Sequence, residues 1–597
     1  MKRSLCSFFL LTGASLVCSA DPYVGYIYPA GIQAGTTNRL IIGGQALNGA
    51  QKFHFTKSGL HVLKIDYVPN FPPPTGQQDR HLKKWLNGIA EGNREEPQLP
   101  PDPHLDEWRV NSWWSILGTL DIGQISLVEH DLYTPKNALQ ATPSLRQMVL
   151  VTVAADKDAL PGWRSFVGYG GGGISAPRPF EVTTAPHVAE PLYIPPHRKQ
   201  PEPALADVRT GEAVLDGQIL PGSTDIFRLH LAAGRHYAFK VTARELQPYI
   251  GDAVPGFFNP VVTLKDAHGN TVAVADDEAR FRPDPILKYC PTKEGIYQLE
   301  IHDVLYRGRA DFVYTIAIGD AEKPAKRVAD GVVSKPGMVS KKKFTIDSPG
   351  LRVLEVTARR KGSPLDPVLT IRKAAGGPVL AYWDDVTNTV FTGTVPQGEC
   401  DPIGTYDFKE AGEYLAEVTD RTNHGGDDYV WWLDVRRPNP DFEAFSMRST
   451  LPMHGGKSVK VGFRIRRKDG FNGNVKLDAP VDIRIQNGVI TSGVDTVFAT
   501  LSYTGSIGKE IQPIKLFASA TIGGKTVRHP VMPCDEYEQA FAWKHLLPAE
   551  DFLFRGFPPP KKQGNRGYES IKRPADHKPN PGKCTNCHSE KQLKQWL

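Results

Sequence analysis

An internal duplication constrains this chain more than any single residue does. The stretch around 276–316 recurs, imperfectly but in order, around 384–433. With its flanking strands the first copy reads VTAR, NPVVTLKDAHGN, ADD, DPILKY, EGIYQLEIHD and ADFVYTIAI. The second reads VTAR, DPVLTIRKAAGG, WDD, DPIGTY, AGEYLAEVTD and DDYVWWLDV. Asp284/Asp401, Tyr297/Tyr414, Asp303/Asp420 and Val313/Val430 all keep one spacing of 117 residues, so register holds across several strands. Solenoid repeats run at roughly 20 to 50 residues, and a much longer period means duplicated domains. The pattern points to tandem modules and away from one enzyme core.

At 597 residues the chain far exceeds the roughly 250 to 300 at which a single core stops growing, so about three to five domains are expected. Lys and Arg number 71 against 65 Asp and Glu, a net charge of +6 without the concentrated basic footprint of a nucleic-acid binder. Lys2 and Arg3, an apolar run over 5–17 and small residues up to Ala20 follow the three regions of a secretory signal, which predicts export and a mature chain beginning at Asp21. That run is short of the roughly 20 apolar residues of a membrane span, so no transmembrane segment is expected once the signal is cleaved. Cys18 raises a lipoprotein alternative, but Val17 and Ser15 do not suit such a signal. The remaining cysteines, Cys290, Cys400, Cys534, Cys584 and Cys587, are too scattered for a disulfide framework.

Residues 28–67 and 148–182 share a texture of short β-rich runs punctuated by Gly and Asn, and read as two halves of one sandwich. Between them, Leu82, Trp85, Leu86 and Ile89 fall at i, i+3, i+4 and i+7, which predicts an amphipathic helix inside an insertion over about 75–147. Trp108, Trp113 and Trp114 follow a Pro-rich break. Aromatics at helical spacing favour packing over ligand binding. The run Gly170 to Gly173 predicts a hairpin turn, because no Lys-Ser/Thr follows it as a phosphate loop requires. A Pro-rich linker is expected over 186–203. After the duplicated pair, Val459, Val461, Phe463 and Ile465 alternate as a half-buried strand requires and mark a further β-rich unit.

Several segments resemble known families. The first unit is similar to an immunoglobulin-like IPT/TIG domain, with 159–164 (ALPGWR) as the matching segment. The opening DGQILPGSTDIFRLHLAAGRHYAFKV, Asn259-Pro260, Asp276-Asp277, Gly295-Ile296-Tyr297 and the close over 303–316 resemble the bacterial pre-peptidase C-terminal domain, a jelly-roll-like sandwich of secreted proteins. The second copy departs from that opening, with VSKPGMVSKKKFTIDSPGLRVLEV in its place. The order of units looks like that of large exported proteins of planctomycetes and verrucomicrobia. The expected fold is therefore mainly β: tandem β-sandwich domains, immunoglobulin-like and jelly-roll-like, with a small helical insertion in the first. The expected division is a signal at 1–20, a first sandwich at 21–187, the duplicated pair at 204–320 and 325–437, a C-terminal β-rich domain at 440–555, and a Pro-rich basic tail at 556–597.

Two motifs carry chemistry. Cys584, Cys587 and His588 form a CxxCH, the pattern that attaches c-type haem through two thioethers and an axial imidazole, with His577 as candidate second ligand. A short-range disulfide or a free dithiol is the alternative. Asp276, Asp277 and Asp303, matched by Asp384, Asp385 and Asp420, could supply oxygen ligands for calcium, against the alternative of turn-forming aspartates that bond their own backbone. The sequence contains no HExxH and no GxSxG. Arg464, Arg466, Arg467 and Lys468 read as a solvated strand end, with an anionic glycan as the other reading. The expectation is an exported, non-catalytic chain, periplasmic, surface-bound or extracellular, binding a protein or polysaccharide of the envelope or extracellular space. A haem-bearing electron-transfer protein and a hydrolase with a composite site are the alternatives.

Overall fold

The computed structural model describes residues 22–557 except 48–49, 68–75, 99–116, 120–146, 171–172, 191–201, 204, 221, 247–257, 277–283, 322–328, 386–400, 455–457, 506–509 and 540–542. Strand accounts for 57% and helix for 4%, so the class is mainly β, as expected.

In the first sandwich one sheet orders the strands Tyr23–Tyr28, Thr37–Gln45, Gln147–Ala155 and Leu60–Tyr67, and the other orders Gly31–Gln33, Arg178–Thr183, Gly162–Gly170 and Ala50–Phe55. Their inner faces meet through Leu40, Ile42, Val149 and Val151 on one side and Phe53, Phe55, Phe166 and Phe180 on the other. Each such side chain contributes about 1.5–3 kcal/mol by leaving water. The expected helix is present at Gln77–Ala90. Leu82, Trp85, Leu86 and Ile89 pack with Tyr26, Tyr28, Ile41 and Leu150, so Trp85 is a core residue. With both faces covered, five of the six residues of Tyr23–Tyr28 are buried.

Gly43 and Gly44, expected to punctuate the chain, instead lie inside the strand Thr37–Gln45. A Cβ at Gly43 would fall 1.9 Å from the Tyr26 ring, and one at Gly44 would fall 1.9 Å from the Tyr23 carbonyl oxygen. The bulge at Val24/Tyr26 is directly opposite. These glycines admit an aromatic ring and a bulged backbone. Of the glycine run, Gly171 and Gly172 lie outside the described residues; the Gly170 N–H donates to the Gly173 carbonyl at 3.1 Å, and Tyr169 bridges Ile174 antiparallel.

The duplication is a duplication of topology. In the second sandwich one sheet orders Leu205–Asp207, Asp225–Leu231, Gly295–Asp303, Pro260–Lys265 and Thr271–Ala275; in the third, whose sheet has no strand matching Leu205–Asp207 among the described residues, the order is Ser340–Ile346, Gly412–Asp420, Pro367–Lys373 and Ala381–Trp383. The opposing sheets match likewise: Ile286–Tyr289, Tyr237–Thr242, Val313–Asp320 and Ala213–Gln218 against Ile403–Phe408, Gly350–Thr357, Val430–Arg436 and Gly331–Val332. The divergent opening of the second copy thus builds the same strands as the first.

The expected linker starts instead with a strand: His187–Ala189 pairs parallel to Ala213–Gln218, at the edge of the second sandwich. The C-terminal unit has an eight-stranded sheet, a three-stranded sheet and a hairpin, with Val461, Phe463 and Ile465 buried in its core.

Candidate functional site

Asp303 closes the long strand Gly295–Asp303 and is fully buried. It accepts from the N–H groups of Asn259 at 3.0 Å, Leu305 at 3.0 Å and Arg307 at 3.3 Å, and from the Arg307 guanidinium at 2.8 and 3.0 Å. Burial pushes its carboxyl up, but Arg307 and the amide donors outweigh it and hold it below the usual range. Asp420 does the same with the N–H groups of Asp366 at 2.9 Å, Thr422 at 3.1 Å and His424 at 2.8 Å. Its partners lie two and four residues ahead, as in the first copy. Asp284 and Asp401 repeat a second device: Asp284 accepts from the amides of Ala243 and Arg244, and Asp401 from those of Arg359 and Arg360. Burial raises Asp284 to about 6 despite these donors.

Asp276 is exposed just after Thr271–Ala275, and Asp277 lies outside the described residues. Asp384 pairs with Arg421, whose guanidinium is 4.0 Å from Asp385. Among the described residues no group of three or more His, Cys, Asp and Glu has the geometry to hold a metal. Cys584, Cys587, His588 and His577 lie outside the described residues. Arg464 pairs with Glu536, Arg466 and Lys468 with Glu443, and Arg467 with Asp495, so the basic strand end is occupied by its own carboxylates.

The most unusual chemistry sits where no sequence motif points, at the junction of the first and second sandwiches. Glu190 follows His187–Ala189 and Asp225 opens Asp225–Leu231; both are buried, and the two carboxyls act on each other's proton affinity. Two carboxyls that interact in a buried space share one proton more readily than they both ionise. The Glu190 Oε1 also accepts from the Gln218 N–H at 3.0 Å and from the Tyr28 hydroxyl of the first sandwich at 3.3 Å. The Tyr314 hydroxyl donates to Asp225 at 2.7 Å. Its ring lies across Gly217, where a Cβ would fall 2.0 Å from the phenol oxygen. Burial first, then the charge and hydrogen bond of Asp225, hold the Glu190 carboxyl well above its ordinary range. Alongside, His187 Nδ1 lies 2.7 Å from Asp216 and its Nε2 lies 3.0 Å from the Thr183 hydroxyl. Burial lowers the affinity of that imidazole for a proton, but Asp216 more than offsets this.

Apolar contact surrounds the polar cluster: Leu220, Leu246 and Val313 of the second sandwich join Tyr28, Trp85 and Leu86 in one core. A Cβ on Gly31 would fall 2.8 Å from the His187 ring, so the Gly31 backbone lies directly against that imidazole. The first sandwich also meets the C-terminal unit. Val167, Tyr169 and Ile174 share a core with Ile511 and Leu553, the Tyr169 hydroxyl donates to Glu510 at 2.8 Å, and Thr56 donates to Glu550 at 2.7 Å.

No protein-family model matches this chain, and no curated protein matches it significantly. Among solved structures, the fibronectin(III)-like modules of Clostridium thermocellum CbhA align at 11% identity over 40% of this chain and 96% of theirs, with a TM-score of 0.12. A mutant of Salmonella alpha-2-macroglobulin aligns at 8% identity over 84% of this chain and 32% of its own, with a TM-score of 0.11. At TM-scores this low neither alignment identifies a shared fold. No helix of the described residues is long and apolar enough to cross a membrane.

Proposed function

We propose that the chain is an exported, non-catalytic scaffold whose β-sandwiches hold binding surfaces for a protein or polysaccharide of the cell envelope or extracellular space. The observation that carries this reading is the double packing of the first sandwich. Its core is shared with Leu220, Leu246 and Val313 on one side and with Ile511 and Leu553 on the other. Modules joined by apolar cores, and not by free linkers, keep fixed spacing between their outer faces. The test is co-sedimentation of the purified mature chain with envelope fractions, isolated peptidoglycan and defined insoluble polysaccharides. Saturable binding without release of soluble fragments is expected. Release of peptide or glycan fragments would make the chain a hydrolase, and no saturable binding to any of these would remove the scaffold reading.

The C-terminal CxxCH supports a second reading, an electron-transfer protein that uses the sandwiches to dock. Cys584 and Cys587 would hold haem covalently, with His588 and His577 as its ligands; the haem would supply the redox chemistry. A pyridine haemochrome spectrum on protein made with cytochrome c maturation machinery, beside a Cys584→Ala, Cys587→Ala control, decides this. A haem band lost in the control establishes it, and no covalent haem removes it.

A further inference from the structure

We propose that the junction between the first and second sandwiches is a pH-sensitive latch, closed while Glu190 and Asp225 share a proton and released when both ionise. The pair belongs to the second sandwich, and the Tyr28 hydroxyl of the first sandwich reaches Glu190. With one proton between them the two carboxyls carry a single negative charge, and Tyr28, Tyr314 and the Gln218 amide all donate to it. Removing that proton places two negative charges in contact in a buried space, which neither Coulomb repulsion nor desolvation tolerates. Relief comes from admitting water where the first sandwich covers the pair.

The duplicated copy supplies an internal comparison. Asp225 pairs with Ile301, and the matching Val418 pairs with Ser340. Tyr314 lies across Gly217 as Trp431 lies across Gly331. The third sandwich therefore closes the same corner with Ser340 and Trp431, both buried and neither ionisable at physiological pH. The fold does not require a carboxyl pair here; the pair stands in the copy that the first sandwich covers.

The titratable groups that act on the pair or on its donors are Tyr28 of the first sandwich and Tyr314 and Asp216 of the second; beyond Asp216 lie His187 and, around it, Glu181, Lys240 and Glu245. Both tyrosines are raised, by burial first and then by the carboxylates, and stay neutral donors. His187 is committed to Asp216. Burial raises Glu181, opposed by His187 and Lys240.

The direction of the pH effect follows from the shifts. The Glu190 and Asp225 carboxyls are raised above their unfolded values, so their contribution is complete below the ordinary carboxyl pKa and is lost as pH rises through the folded ones. His187 is raised as well; its contribution is complete below the ordinary histidine pKa and is lost as pH rises through the folded value. Both act in one direction, giving a junction tight in acid and weak in alkali. Each proton lost changes the open-to-closed ratio by up to about tenfold per pH unit.

Difference infrared spectroscopy on the full-length protein tests the first premise. A protonated-carboxyl band persisting above the ordinary carboxyl range is expected, disappearing as pH rises and diminished in Glu190→Gln. Small-angle scattering across the same titration should show the radius of gyration of the unmodified chain rising with that band's loss. Glu190→Gln and Asp225→Asn, which preserve shape, should flatten this step. A band above the ordinary carboxyl range that Glu190→Gln leaves undiminished, or no such band in the unmodified chain, would overturn the latch. An expansion with unchanged midpoint in a folded Glu190→Gln or Asp225→Asn chain would overturn it as well.

Discussion

Asp303 and Asp420, 117 residues apart, cap the same turn in two sandwiches: each accepts the N–H groups two and four residues ahead, and each accepts one from the start of a neighbouring strand. The recurrence that first exposed the duplication is thus the recurrence of a hydrogen-bonding device. A buried carboxylate that satisfies three amide donors fixes where one strand ends and another begins.

Removing this device has a defined cost. Asp303→Ala leaves the amides and the Arg307 guanidinium without their acceptor and should destabilise the second sandwich by about 2–4 kcal/mol. Asp420→Asn keeps the shape and one acceptor oxygen, so about 1–2 kcal/mol is expected. Both carboxyls are held below their ordinary range, so their contribution is present above the unfolded carboxyl pKa and is lost as pH falls through the folded value. Hydrogen exchange of Gly295–Asp303 and Gly412–Asp420, read from pH 7 down to pH 3, checks both cost and sign.

The same turn contains a residue that its duplicate does without. Tyr306 has φ +53° where Asn423 has φ +61°, and asparagine enters this left-handed region more readily than a bulky side chain. Tyr306 stacks on His302 at 4.3 Å between ring centroids, which offsets part of the strain. Tyr306→Asn should raise stability by about 0.5 kcal/mol. Calorimetry should show the unfolding of the second sandwich moving up by about 2–4 °C.

Gly217 and Gly331 occupy one corner of the two copies, and each lies beneath an aromatic ring. A Cβ at Gly331 would fall 2.5 Å from the Trp431 ring and 2.7 Å from the Ser340 hydroxyl. Gly331→Ala should cost about 1–3 kcal/mol by overpacking, with a change in tryptophan fluorescence as the buried indole moves. Gly217→Ala should cost a similar amount and displace the Tyr314 hydroxyl from Asp225. The lost protection of Val313–Asp320 to hydrogen exchange would report it.

Ile511→Asp places a carboxylate against Val167, Tyr169, Ile174 and Leu553, where burying an unpaired charge costs several kcal/mol. The first sandwich should separate from the C-terminal unit while each keeps its own core. Small-angle scattering should show an expanded chain, and circular dichroism an unchanged strand content. Loss of both together would place Ile511 in a core on which folding itself depends.

Local patterns decided what was legible in the sequence. The helix over Leu82, Trp85, Leu86 and Ile89, the alternation through Val461, Phe463 and Ile465 and the turn-forming Asp303 and Asp420 depend on neighbours a few residues away or on a register repeated twice. Gly43 and Gly44 are ambiguous in the sequence because glycine serves a turn or a close approach alike, and Tyr26 opposite them is visible only once strands are paired. Asp216-Gly217 recurs as Asp330-Gly331 and could have marked the shared corner. Glu190 and Asp225 carried no comparable signal.

The sequence by itself determined that the chain is mainly β, that two of its modules are copies, and that one helix packs its tryptophan inward, because periodicity and register are local properties of the backbone. Tertiary structure alone decided that His187–Ala189 joins the second sandwich, that the first sandwich is cemented to both the second and the last, and that Glu190 and Asp225 meet under Tyr28. Those contacts arise where separate apolar faces close on one another, and desolvation by a distant segment is what turns ordinary carboxyls into a proton-sharing pair.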